Sequence, residues 1–275
     1  MTVTVKETTE NNELRFFTTG DGIQIAYQFD GEVDAPVLML ANSIGTTYHM
    51  WDGQIAELTK HFRVLRYDFR GHGSSDVPSG AYSIDRMGRD VIELLDSLQI
   101  DRVHFLGLSL GGAVAQWLAI HNPERIDKLI LSNSSSYLGP ADQWDYMINS
   151  VLNAEDLSWL ADMFIGNWFP KHMLEKESGI ISSFRNMVLN TDPTGFAGTF
   201  AAIRDLDLRR TAALITSPTL VIAGEHDTVT LPSHGELIAA TVPNAKFVLL
   251  PSVHLSNVEL SDDFLKIVIE FLQSK

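Results

Sequence analysis

Gly107-Leu108-Ser109-Leu110-Gly111 is the stretch of this sequence with the clearest chemical content. A serine hydroxyl becomes a useful nucleophile only when a base takes its proton and the backbone presents it clear of neighbouring atoms. The apolar run Val103–Leu108 reads as a strand and Leu110–His121 as a helix, so Ser109 falls on the sharp turn between them. That is the setting in which a G-x-S-x-G pattern exposes a serine for attack on a carbonyl. The glycines follow from sterics: side chains two positions either side of so tight a turn would collide. Gly112 and Ala113 then let the helix pack close to the sheet, with its N-terminus beneath a developing oxyanion.

A serine on this kind of elbow is followed in the chain first by an acid and then by a histidine. Of nine histidines, His121, His172 and His234 fall on predicted helices or in the region between strands. His254 follows the strand Phe247–Leu250 in the short loop Pro251-Ser252-Val253, at a strand's carboxyl end, where an imidazole can reach Ser109. The acid is sought after Pro218–Ala223, in Gly224-Glu225-His226-Asp227. Asp227 lies deeper in the loop and is preferred, leaving Glu225 a structural contact near the strand end. The preceding strand end, Ser132-Asn133-Ser134-Ser135-Ser136, offers no carboxylate. The oxyanion of a tetrahedral intermediate needs two preorganised N–H donors. Leu110, next to the nucleophile, supplies one, and Ile44, in the loop Asn42-Ser43-Ile44-Gly45 after Pro36–Ala41, supplies the other. The glycine-rich run Asp68–Ser75 reads as structural, with Asp68 and Arg70 pairing and bonding backbone groups.

These residues must be carried by a sheet. Apolar, β-branched and aromatic runs recur at Leu14–Thr19, Ile23–Phe29, Pro36–Ala41, Phe62–Tyr67, Val103–Leu108, Leu129–Ser132, Pro218–Ala223 and Phe247–Leu250. The first two flank Gly20-Asp21-Gly22 and predict an antiparallel hairpin. The later runs are nearly continuous apolar strings, as strands buried on both faces require. Helical periodicity lies between them: Ser83–Leu98 has Ile84, Met87, Val91, Leu94, Leu95 and Leu98 on one face, and Phe264–Leu272 repeats the pattern. Alternation of strand and helix predicts an α/β fold with a mostly parallel, doubly wound sheet. From about Tyr137 to Arg204 no strand candidate occurs, and aromatic and aliphatic residues recur at helical spacing. The expected organisation is a core of 1–136 and 205–275 with a helical cap of 137–204, seated over the strand ends where open α/β sheets bind ligands. Trp144 and Trp168 are the candidate cap residues walling the pocket.

Composition narrows the partners. The 275 residues carry 35 acidic against 20 basic side chains, a formal net charge of −15, which argues against nucleic acid and anionic membrane surfaces. No cysteine is present, so disulfides, thiolate–metal sites and a cysteine nucleophile are excluded. Met1–Arg15 lacks the apolar core of a signal peptide, and no apolar run approaches the ~18 residues needed to span a bilayer. A cytoplasmic protein acting on a small molecule, without metal or organic cofactor, is the expectation.

Gly107–Gly112, Asp68–Ser74, Pro218–Asp227 and the His254 loop resemble the α/β-hydrolase superfamily over nearly the whole chain. Asn42-Ser43-Ile44-Gly45-Thr46-Thr47 with Met50-Trp51, Tyr82–Met87, and His254-Leu255-Ser256-Asn257-Val258-Glu259 resemble more specifically the 3-oxoadipate enol-lactonases. The resemblance implies a bacterial enzyme of aromatic-compound breakdown that opens a small anionic enol-lactone. It also implies a basic residue just after Leu129–Ser132 for the substrate carboxylate, and this chain has Tyr137 there. With Tyr137 as a candidate substrate contact, an uncharged lactone or ester becomes an alternative substrate. Other readings of the same triad are an esterase of different specificity and a cofactor-free perhydrolase. Outside enzymes, the fold could serve as a ligand-binding receptor.

Overall fold

The structure is a computed structural model that describes residues 13–176 and 179–274, so the sequence reading of residues 1–12 lies outside the described residues. Eight strands form one sheet: β1 Arg15–Thr18, β2 Gln24–Asp30, β3 Val37–Ala41, β4 Arg63–Tyr67, β5 Val103–Leu108, β6 Ile126–Ser132, β7 Thr219–Gly224 and β8 Lys246–Leu250. Their order is β1-β2-β4-β3-β5-β6-β7-β8. β1 and β2 form the expected antiparallel hairpin, β2 runs antiparallel to β4, and every later pairing is parallel. The chain leaves β3 for β4 on one side and returns to β5 on the other. The sheet's topological switch therefore lies at the carboxyl end of β3 and β5, where a crevice opens.

Both strands bounding that crevice are apolar, His104 of β5 excepted, because both faces are covered. All six residues of β5 are buried, and burying side chains such as Phe105, Leu106 and Leu108 contributes roughly 1.5–3 kcal/mol each. The helix Leu110–His121 packs behind β5 and β6 with ten of its twelve residues buried. Its outer neighbour, Ile84–Ser97, is amphipathic: Ser83 caps it by accepting the Arg86 N–H, and Ile84, Met87, Val91, Leu94 and Leu95 face inward. A Cβ on Gly88 would sit 2.0 Å from the Trp117 ring, so glycine sets how closely these two helices approach.

Between β6 and β7 the described chain forms five α-helices, Ala141–Leu152, Ser158–Trp168, Lys171–Leu174, Gly179–Leu189 and Pro193–Arg204, a short 3-10 helix Thr211–Leu214, and no strand. The ends of this insertion are drawn together by a single antiparallel bridge between Tyr137 and Asp207 and by the Leu208 N–H donating to Ser136 O at 2.8 Å. Three elements differ from the sequence reading. β6 begins at Ile126, three residues early, because the half-buried Asp127 and Lys128 break the apolar run. A helix at Asp52–Leu58 follows the β3 loop, too short to show a period. A four-residue helix, Ser256–Glu259, separates His254 from the last helix, Ser261–Gln273. No described helix is long and apolar enough to cross a membrane.

Candidate active site

Ser109 sits between β5 and its helix with φ 57° and ψ −114°, a conformation costly for any residue with a side chain. The surroundings hold it there. Its N–H continues the sheet by donating to Ser132 O at 2.9 Å, and its carbonyl accepts from Gly112 N at 2.9 Å and from Ser134 Oγ at 2.8 Å. A Cβ on Gly107 would lie 2.1 Å from Gly111 O, and one on Gly111 would lie 2.3 Å from Ala41 O. Both contacts are with backbone that has nowhere to move, so the two glycines are obligatory.

The Gly111 N–H donates to Asn42 O at 2.9 Å and ties the elbow to the loop after β3. That loop is cross-braced by the residues of its sequence signature. Asn42 donates to Tyr67 O at 2.8 Å and accepts from Trp51 Nε1 at 3.0 Å. The Ser43 N–H points at Met50 Sδ (3.2 Å), and the Gly45 N–H donates to His72 Nε2 at 3.0 Å. The Ile44 amide lies between two committed neighbours. Leu110, as the first residue of its helix, has no intrahelical acceptor for its own N–H.

His254 and Asp227 meet. The imidazole Nδ1 lies 2.8 Å from Asp227 Oδ2, and both side chains are buried. Asp227 Oδ2 also accepts from Thr230 Oγ1 at 2.7 Å and from Asn133 Nδ2 at 3.1 Å, while Oδ1 accepts the amides of Val229 and Thr230 at 2.8 and 3.0 Å. Burial alone would push the Asp227 carboxyl up. The His254 charge and the hydrogen bonds from His254, Thr230 and Asn133 outweigh it and hold the group at about 2. Because the carboxylate is fixed as acceptor, Nδ1 carries the proton and Nε2 is the basic nitrogen. Nε2 is buried with no hydrogen-bond partner among the described residues. Glu225 is exposed and takes no part in this contact.

Ser109, His254 and Ile44 all line one cavity of about 670 Å³ roofed by the inserted helices. Trp144, Met147, Phe164, Trp168 and Phe200 give it an apolar wall, and the exposed Asp142 and Gln143 stand at its rim. Trp144 and Trp168, proposed from the sequence, are in this wall. Tyr137 is not: its ring packs against the Arg209 guanidinium, 3.9 Å from the centroid, and Leu138 takes its place at the cavity. The alternation at the end of an extended segment turns one neighbour in and the other out. Among the described residues no group of three or more His, Asp or Glu side chains could hold a metal ion.

Two polar residues of the site were not read from the sequence. Asn133, with φ 43°, stands at the strand end whose sequence offers no carboxylate. It donates to Asp227 and to Val253 O (3.3 Å) and accepts from Ser132 Oγ and from Ser256 Oγ (2.8 Å). Ser256 and Glu259, the latter accepting the Val253 N–H at 2.7 Å, thereby fix the His254 loop. The second is His72, described above. The expected Asp68–Arg70 pair does not form. Asp68 accepts the amides of Tyr48 (2.7 Å) and Ser74 (2.9 Å) instead, and Arg70 makes a two-pronged pair with Asp90 at 2.6 Å and reaches Asp21 at 3.0 Å. A carboxylate two residues before an arginine on an extended strand has its side chain on the same face, but β4 ends at Tyr67 and the chain is already turning at Arg70, so that alternation does not hold here.

The model of the alpha/beta hydrolase fold matches residues 36–259. The 3-oxoadipate enol-lactonase 2 of Acinetobacter baylyi is 35% identical over 246 residues, 90% of this chain and 92% of that protein. Among solved structures, a hydrolase from Pseudomonas aeruginosa is 56% identical with a TM-score of 0.94, covering 96% of this chain and 99% of its own. The enol-lactonase from Burkholderia xenovorans is 37% identical with a TM-score of 0.92, covering 94% and 100%.

Proposed function

This chain belongs to the alpha/beta hydrolase family, and from that premise we propose that it opens a small lactone, or cleaves a carboxylic ester, by Ser-His-Asp acyl-enzyme chemistry. The observation that supports this most is the state of His254: Nδ1 is locked to Asp227, while Nε2, buried and unpartnered, borders the same cavity as Ser109. In the proposed reaction Nε2 takes the Ser109 proton as Oγ attacks the carbonyl carbon. The Ile44 and Leu110 amides stabilise the oxyanion, and the imidazolium is stabilised by Asp227. Collapse breaks the ring C–O bond, and the leaving oxygen receives the proton from His254. A lactone leaves its enol or alcohol tethered to the acyl group. Water, deprotonated by His254, then releases the serine. Residues 137–204 act as the cap and 1–136 with 205–275 as the core.

The finer reading, 3-oxoadipate enol-lactone as substrate for a cytoplasmic enzyme of aromatic catabolism, rests on the loop signatures and on the names of the relatives. Loss of the enol-lactone absorbance measures it directly. Labelling of Ser109 by a fluorophosphonate tests the chemistry beneath it; a protein that resists the probe while folded would refute acyl-enzyme formation.

A further inference from the structure

We infer that the preferred substrate carries no negative charge: an uncharged lactone or ester, with its apolar part on the aromatic wall. This rests on the acyl-enzyme hydrolase reading above and, for that same site, stands against the finer reading of an anionic 3-oxoadipate enol-lactone. No lysine or arginine is among the described residues that line the cavity. The one charged side chain there apart from the His254 dyad is Asp142, a carboxylate at the rim. Arginines of the surrounding segment are already engaged: Arg185 with Asp162 (2.9 Å), Arg204 with Asp145 and Asp205 (both 2.8 Å), and Arg209 with Asp207 (2.6 Å). The His254 imidazolium, when it forms, faces Asp227 at 2.8 Å, so the dyad as a whole is neutral at that moment.

A carboxylate entering this space would exchange water for Trp144, Phe164, Trp168 and Phe200 and gain no cation, a transfer that is strongly unfavourable. On its way it would pass Asp142 and a molecule of net charge −15, which also slows the encounter of an anion. The polar groups the wall does offer are neutral: Asn167, Thr228 and Gln143 can bond an ester, amide or hydroxyl oxygen.

Two enol-lactones that differ only at the end of the side chain, one a carboxylate and one a primary carboxamide, separate charge from shape. With the wild-type chain, the amide is expected to have at least a tenfold higher kcat/KM, most of it in KM, with the gap shrinking in Asp142→Asn and at high salt. Ser109→Ala keeps the cavity but not the chemistry. Titrated through its tryptophan fluorescence, it should bind the amide at least tenfold more tightly than the acid. Equal or tighter binding of the acid overturns the inference, even if turnover is never seen. Failure of the fluorophosphonate to label wild-type Ser109 overturns the hydrolase reading alone, because the binding comparison does not depend on it.

Discussion

Five donors converge on the Asp227 carboxylate: two amides, the Thr230 hydroxyl, the Asn133 carboxamide and His254 Nδ1. Such an acid cannot leave its charged form near neutral pH, and in the proposed reaction its work is to orient and stabilise the imidazole. Asp227→Asn replaces that acceptor with a group that can present N–H to Nδ1 and favour the wrong tautomer. A fall in kcat of about 10⁴ is expected, similar to Ser109→Ala, with both variants folded by circular dichroism. Glu225→Gln should stay near wild type in the same assay. Asn133 allows a subtler test. Aspartate tolerates the left-handed backbone that Asn133 adopts, so Asn133→Asp keeps the fold but sets a second carboxylate 3.1 Å from the first. Like charges at that distance cannot both ionise easily. The acid limb of the kcat/KM profile should therefore move to higher pH, and a limb that stays in place would show that Asn133 has no electrostatic part in the triad. The serine, the histidine and the acid could be proposed from the sequence because each follows a strand in a fixed chain order. Asn133 and His72 could not, because their partners lie 94 and 27 residues away and only the packed sheet brings them together.

The loop after β3 proposed to receive the oxyanion, the turn after β4 and the helix Pro193–Arg204 form one packed unit. Gly71 and Gly195 are in backbone contact: a Cβ on Gly195 would lie 2.1 Å from Gly71 O. Phe196, the next residue, packs edge-on to His72 at 5.9 Å, and a Cβ on Gly45 would meet its ring at 3.1 Å. The inserted helix thus touches the loop that carries Ile44 through Phe196 and the turn after β4 through Gly195 and Phe196, and displacing it should disturb the proposed oxyanion site without touching the triad. Gly195→Ala is expected to destabilise the protein by about 1–3 kcal/mol through overpacking against rigid backbone. It should also lower kcat more than it raises KM, since the oxyanion contacts form in the transition state. Urea denaturation and steady-state kinetics on one preparation give both numbers; an unchanged kcat would mean the helix and the loop move independently. The strands were readable because parallel, doubly covered strands must be nearly continuous apolar strings, as β3 is. The inserted segment was readable as helical from its period, but its docking was not: Gly71 and Gly195 are separated by 124 positions, and glycine carries no pattern to announce a contact.

Two buried groups of the turn after β4 make opposite demands as the whole molecule is acidified. Burial pushes His72 down to about 4, below its ordinary 6.5, against the pull of Arg70 O on Nδ1, while Nε2 accepts the Gly45 N–H. Between those values the unfolded chain binds a proton that the folded chain refuses, so this residue makes stability fall as pH falls. Burial raises Asp68 from 3.8 to about 6, against the pull of the Ser74 and Tyr48 amides. There the folded chain binds the proton that the unfolded chain has released, so this residue makes stability rise as pH falls. Over their shared window, about pH 4 to 6, each contributes a slope of at most ~1.4 kcal/mol per pH unit, and the two cancel. The wild-type protein conceals this balance, but removing one member exposes the other. His72→Gln, whose carboxamide oxygen can still accept the Gly45 N–H, should gain stability relative to wild type as pH drops from 6 to 4.5. Asp68→Asn should lose stability relative to wild type over the same interval. Urea midpoints at four or five pH values give the two difference slopes. If both have the same sign, the folded chain does not hold His72 neutral and Asp68 protonated across that range, and the anchoring of the Gly45 amide by an uncharged imidazole would need another basis.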